Sequence, residues 1–172
     1  MTNFENMPQL VMNKILEKLD LPSILTLRNV CHDFRNFIET IHLDCDLTHL
    51  EISLGPDKIY ITYSTPYKQW VVSYTNLYSK GCLVAREEIR NRSVKRLQDN
   101  NFIEMFSKDF EIILNIFGTK LNLNRFELRK KYAYEEDVER VLERLETILK
   151  TYKLKVKDEL IDVCFYSESS QQ

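Results

Sequence analysis

Glycine is scarce in this chain of 172 residues: Gly55, Gly81 and Gly118 stand far apart. A phosphate-cradling loop or a dinucleotide fingerprint needs closely spaced glycines, so neither can be written. Charge of one sign is missing as well. With 24 Lys and Arg against 26 Asp and Glu, the formal net charge is -2, which argues against nucleic acid as the main partner, because phosphate binding needs a basic face. No apolar run approaches the roughly eighteen residues of a membrane span. Met1 to Pro8 also lacks the charged-then-apolar pattern of a secretory signal. The expected setting is therefore intracellular, cytoplasmic or nuclear, with no membrane partner. In that compartment the four cysteines are expected as thiols despite their even number, and the Asn91-Arg92-Ser93 sequon is moot.

Catalytic constellations are missing too. Cys31, His32, His42, Cys45 and His49 share a short window, but their spacing does not reproduce the paired arrangement that closes a tetrahedral zinc site. No local signature surrounds any cysteine as a nucleophile. The acid pairs Glu87-Glu88 and Glu135-Glu136 are sequence neighbours that point in different directions on a helix, so they read as solvated faces. The expectation is a protein without catalytic residues, metal or cofactor.

What is present is a compact helical module at the start. Pro8 suits a first helical turn, where its missing N–H has no intrahelical partner to lose. Val11, Met12, Ile15, Leu16 and Leu19 recur at the spacing of one helical face, opposite Asn13, Lys14, Glu17 and Lys18. Asp20-Leu21-Pro22-Ser23 breaks that helix, and Pro22 can open the next. Ile24, Leu25, Leu27 and Val30 are the apolar positions of a second helix. From Cys31 onward Phe34, Phe37, Ile38 and Ile41 predict a third. Three short helices carry more apolar surface than they can bury among themselves, so some of it needs a partner.

Met7-Pro8, Ile15-Leu16, Leu19, Leu21, the Pro22-Ser23 joint, Leu25, Leu27-Arg28 and Val30-Cys31 together resemble the F-box motif. The family's usual pattern has Leu-Pro at the start and a Trp three residues after Val-Cys; here Met7-Pro8 and Phe34 hold those places and keep apolar groups there. The resemblance implies binding to a Skp-type adaptor and, through it, to a cullin–RING ubiquitin ligase. It implies docking through Met7, Pro8, Ile15, Leu16, Leu19, Leu25 and Val30, supported by Cys31 and Phe34, with Cys31 as a core cysteine.

Beyond this module the period changes. Leu50, Ile52 and Leu54, then Ile59, Ile61 and Tyr63, alternate with polar residues around the turn Gly55-Pro56-Asp57 and predict a hairpin. Gln69 to Tyr74 predicts a third strand and Cys82 to Ala85 a fourth, giving an antiparallel meander. Glu87 to Asn101 reads as polar and weakly helical. The cluster Arg125, Arg129, Lys130 and Lys131 reads as a solvated loop. Tyr60, Tyr63, Tyr67, Trp70, Tyr74 and Tyr78 must divide between a core face and an exposed face of the strands.

Phe106, Phe110, Ile113, Leu114 and Phe117 predict a helix that Gly118 can end, followed by a strand at Lys120 to Leu123. Val138, Val141, Leu142, Leu145, Ile148 and Leu149 predict a second helix, followed by a strand at Lys153 to Lys157. The two units align as a faint helix-then-strand repeat whose strands could run parallel.

An F-box followed by short strands and then helix–strand units resembles the F-box/FTH family expanded in nematodes, in which the later part looks like a leucine-rich-repeat-like array thought to hold the target. The expected fold is α+β: an F-box over 1–41, a partial FTH-like domain of meander and leucine-rich-repeat-like units over 42–166, and a polar tail over 167–172. The expected function is a non-catalytic, substrate-recruiting subunit of a Skp–cullin–F-box ligase with an unknown protein target. The alternative is a short chain that binds the adaptor and competes with longer relatives without delivering a target.

Overall fold

The computed structural model describes residues 8–41, 43, 46–88, 91–98, 100–117, 121–130, 135–152 and 154–162. Three helices come first: α1 (Gln9–Leu16), α2 (Leu21–Arg28) and α3 (His32–Thr40). Strands β1 (His49–Leu54), β2 (Lys58–Ser64), β3 (Gln69–Asn76), β4 (Cys82–Glu88) and β5 (Asn91–Leu97) come next, and then α4 (Phe102–Phe117), β6 (Asn122–Lys130), α5 (Glu135–Tyr152) and β7 (Lys155–Asp162). The strands form one sheet in the order β5-β4-β3-β2-β1-β6-β7. The meander β1 to β5 is antiparallel throughout, whereas β6 runs parallel to β1, and β7 parallel to β6.

Strand register places the core. Leu50, Ile52 and Leu54 stand opposite Tyr63, Ile61 and Ile59, which in turn stand opposite Trp70, Val72 and Tyr74. All nine are buried. Because alternate residues share a sheet face, they make one apolar surface, and α4 packs across it at β2, β3 and β4. Phe106 of α4 meets Tyr74 edge to face at 5.9 Å and stacks on Phe110 at 6.0 Å. Asn101 starts α4, its Oδ1 accepting from Ile103 N at 2.8 Å, which satisfies a backbone donor that the first turn leaves unpaired. Leu16, Leu21, Ile24 and Ile38 of the first three helices belong to the same hydrophobic cluster as the strands and α4. The N-terminal module is thus fused to the sheet.

Two segments differ from their expectation. Asn91–Leu97 is not helical but an edge strand, paired from Cys82↔Leu97 to Glu88↔Asn91. Its charges Arg92, Lys95 and Arg96 hide the strand period from a hydropathy reading, and charge on an edge strand deters pairing with other chains. Arg125, Arg129 and Lys130 lie on β6, not in a loop; Lys131 falls outside the described residues. The aromatic residues divide between the faces: Tyr63, Trp70 and Tyr74 are buried, while Tyr60, Tyr67 and Tyr78 are exposed. Among the described residues, no helix is long and apolar enough to cross a membrane.

Candidate functional site

α1 begins at Pro8, whose carbonyl accepts from Val11 N at 2.9 Å and from Met12 N at 3.2 Å. It turns Met12 and Leu16 into the fold. The outward side remains apolar: Leu10 is 67% exposed, Val11 43% and Ile15 40%. Pro8, Val11 and Ile15 are spaced i, i+3, i+7 and so form a single stripe along the helix. At the joint between α2 and α3, Val30 is 65% exposed and Cys31 is exposed beside it. An exposed apolar stripe of this kind on a helix of a small chain marks an interaction surface.

The neighbouring elements hold this face in place. Asp20 caps α2 by accepting from Ser23 N at 3.1 Å, and its Oδ2 pairs with Lys68 Nζ at 2.9 Å in the turn before β3. Burial acts to raise the pKa of Asp20, but the hydrogen bonds from Ser23 and Lys68 outweigh it and hold the carboxyl below its ordinary 3.8. Arg28 Nε donates to Glu39 Oε1 at 2.8 Å and ties α2 to α3.

The nine residues expected to dock therefore separate. Pro8, Ile15, Val30 and Cys31 lie on the outside. Leu16, at 1% exposure, and Phe34 are buried, which makes them supports of the helices rather than contacts in this arrangement. Leu19 and Leu25 are half-buried against the core, and Leu25 lines a cleft between α2 and the sheet. Met7 lies outside the described residues. Cys31 is a correction: it sits exposed as the N-cap of α3, not in the core, because the extended conformation that starts the helix turns it outward. Leu10 and Val11 join the outward face without belonging to the expected docking set, although the i, i+3, i+7 stripe through Pro8 is legible in the sequence.

Of the histidine and cysteine window, His42 and Cys45 fall outside the described residues. His49 instead joins Glu51 and Glu127, with one ligand atom from each within 4.8 Å of the others. Strand register stacks His49 against Arg125, Glu51 against Glu127, and Ser53 against Arg129. Glu127 is buried and takes Arg129 Nε at 2.8 Å as well as the Arg125 guanidinium, while His49 Nε2 lies 3.3 Å away without the alignment of a hydrogen bond. Two guanidinium groups on one carboxylate already balance its charge, so the cluster is built as an ion-pair network and offers little to a cation.

The remaining candidate nucleophile among the described residues, Cys82, is buried, and burial pushes its thiol up to about 11. Such a thiol is a poor nucleophile at neutral pH.

Among curated proteins, none matches the chain. Among solved structures, a propionate kinase from Francisella tularensis is similar over 62% of this chain and 30% of its own, at 16% identity and a TM-score of 0.36, too slight a likeness to bear on function. The family model of the F-box domain matches residues 4–46, the stretch that holds α1, α2 and α3. This part of the chain is an F-box domain, a module that typically binds Skp-type adaptors within cullin–RING ligases and that suggests a role in substrate recognition.

Proposed function

We propose that the chain is a non-catalytic, substrate-recruiting subunit of a Skp–cullin–F-box ubiquitin ligase, and that the part after the F-box is an FTH-like, leucine-rich-repeat-like region that holds the target. The observation that carries this reading is the F-box match over residues 4–46 on helices whose α1 presents Leu10, Val11 and Ile15 outward. The role is positional. Binding an adaptor at one surface and a target at another raises the effective concentration of target lysines near the charged ubiquitin carrier.

The docking surface in this reading is Pro8, Leu10, Val11 and Ile15 of α1 with Val30 and Cys31 at the α2–α3 joint. Leu16, Leu19, Leu25 and Phe34 hold those helices in register. The test is copurification of a tagged chain with a Skp-type adaptor, for the wild type and for Val11→Ala/Ile15→Ala. The wild type should retain the adaptor and the variant should lose most of it. Retention by both at equal levels would overturn the assignment of this face. Adaptor binding with no ubiquitination of any captured partner in a reconstituted ligase would favour the competitor reading instead.

A further inference from the structure

Between α2 and strands β2 to β5 lies a cleft of about 390 Å³, whose inner walls are Leu21, Pro22, Leu25 and Val72. Tyr63 and Trp70 also line it, and both are buried. Neither the Tyr63 hydroxyl nor the Trp70 Nε1–H has a hydrogen-bond partner. Both atoms are themselves closed off from solvent, so what these two residues present to the cleft is their apolar ring surface.

Arg86 lines this cleft, a neighbouring pocket of about 60 Å³ and a groove of about 510 Å³. The groove is flanked by Arg28, Arg35, Lys95, Lys108 and Asp109. Arg28 is paired with Glu39, and Asp109 Oδ2 accepts from Tyr74 OH at 2.9 Å. No carboxylate is paired with Arg35, Arg86, Lys95 or Lys108 among the described residues, and Arg35 Nε is buried without a partner. On a chain whose net charge is -2, this is a concentration of unpaired positive charge beside a largely apolar slot, whose lining carboxylate, Glu87, is paired with Arg92. Such a lining selects an acidic partner.

We propose that the cleft and groove hold an extended acidic peptide of the recruited target, with one apolar side chain seated against Leu25 and Val72. Acceptors beside that side chain meet Arg86. Acidic residues along the chain meet Arg35, Lys95 and Lys108. The burial of Trp70 leaves its ring without a free face on which a nucleobase could stack. The inference rests on the recruiting role proposed above.

Trp70 is the only tryptophan in the chain, so emission excited selectively at the indole reports on the surroundings of this one residue, which lines the cleft and also a pocket with Lys18, Tyr67 and Phe117. A tryptophan-free library of random dodecamer peptides is panned on the full chain, and the enriched peptide is synthesised and titrated. Enrichment of sequences with Asp or Glu flanking an apolar residue, together with a shift in Trp70 emission on binding, supports the site. Arg86→Glu and Lys95→Glu should each weaken that binding by about tenfold or more, with unfolding temperatures unchanged. Replacing a glutamate of the peptide by phosphoserine tells whether carboxylate or phosphate is the preferred source of charge. Enriched peptides without acidic residues, binding that Arg86→Glu leaves intact, or no change at Trp70 would each overturn the proposal. Equal, Arg86-dependent binding of a single-stranded oligonucleotide would overturn it in favour of a general polyanion site. Adaptor capture is measured on the same variants: a retained adaptor with no peptide binding sinks only the cleft, whereas peptide binding without adaptor capture sinks only the ligase role.

Discussion

Leu16 and Ile15 are sequence neighbours on α1, and truncating them should have opposite consequences. Leu16 is 1% exposed and lies in the continuous core with Leu21, Ile24 and Ile38. Leu16→Ala removes three buried carbons and leaves a cavity that packed helices close only in part, a loss of about 3 kcal/mol. For a chain of this size each kcal/mol moves the unfolding midpoint by roughly 2–4 °C, so a fall of roughly 6–12 °C is expected. Ile15 is 40% exposed, so its truncation forfeits only part of a buried side chain, and alanine's better helix propensity returns some of that. The net change is about 1 kcal/mol or less. On the adaptor the order reverses. An interfacial aliphatic anchor is worth about 2 kcal/mol, or about thirtyfold in Kd, so Ile15→Ala should weaken binding to that extent while Leu16→Ala, measured well below its midpoint, should bind almost normally. Thermal unfolding by circular dichroism and calorimetric titration of the adaptor give the two numbers independently. A Leu16→Ala protein that keeps its midpoint within about 2 °C of wild type but loses the adaptor would refute both the burial and the docking assignment.

Three further outcomes depend on single groups. The Asp20 carboxyl is held below 3.8, so the stability it adds is complete above that pH and is lost as pH falls through the lowered value. Asp20→Asn, which keeps a capping oxygen but not the charge paired with Lys68, should flatten that acid limb in urea titrations between about pH 2 and 5, and an unchanged limb would count against the pairing. Alkylation with iodoacetamide at about pH 8, read by peptide mapping, should label exposed Cys31 and spare Cys82, which has no exposure and a thiol pushed up to about 11; equal labelling would contradict its burial. Arg125→Ala/Arg129→Ala should destabilise the chain more than Glu127→Ala. The double variant strands a buried carboxylate at a loss of about 3 kcal/mol or more, whereas the single one leaves half-exposed guanidinium groups that water can solvate; denaturant midpoints in the reverse order would refute the network.

Much of the fold could be read from local pattern. The three N-terminal helices, the first four strands, α4 and α5 each carry a period that their own residues impose, because each has one face to bury. β5 escaped because its alternation is carried by Arg92, Ser93, Lys95 and Arg96 rather than by apolar residues; its place is set by pairing with β4 and by nothing in its own hydropathy. β6 escaped in part for the same reason. Arg125 and Arg129 looked like loop charges, yet they face Glu127, a partner two residues away whose burial depends on β1 lying alongside. The F-box helices were legible as a motif, but a helical wheel does not say which apolar side turns inward. Val11 and Leu16 look alike in sequence, and only the assembled core separates them, since Leu16 joins the buried cluster and Val11 does not. The orphaned Tyr63 hydroxyl and Trp70 indole were not legible at all, since a missing hydrogen bond is a property of the assembled cleft.

A recruiting subunit must hold its target at a fixed place relative to the adaptor, because effective concentration falls steeply when the two surfaces can swing apart. A flexible joint between the F-box and the target-holding region would forfeit that advantage. Here α2 serves both sides at once. Its Leu21 and Ile24 are buried in the cluster that contains Leu16 of α1 and the strand residues Ile61, Tyr63 and Trp70, while Leu25 on the same helix lines the cleft. Arg28 ties α2 to α3, and Asp20 ties it to Lys68 at the head of β3. Close-packed side chains move together, so a displacement of the N-terminal helices would have to disrupt the wall of the cleft. The N-terminal helices and the basic groove are therefore joined through a shared helix, the kind of link that the proposed positional role requires.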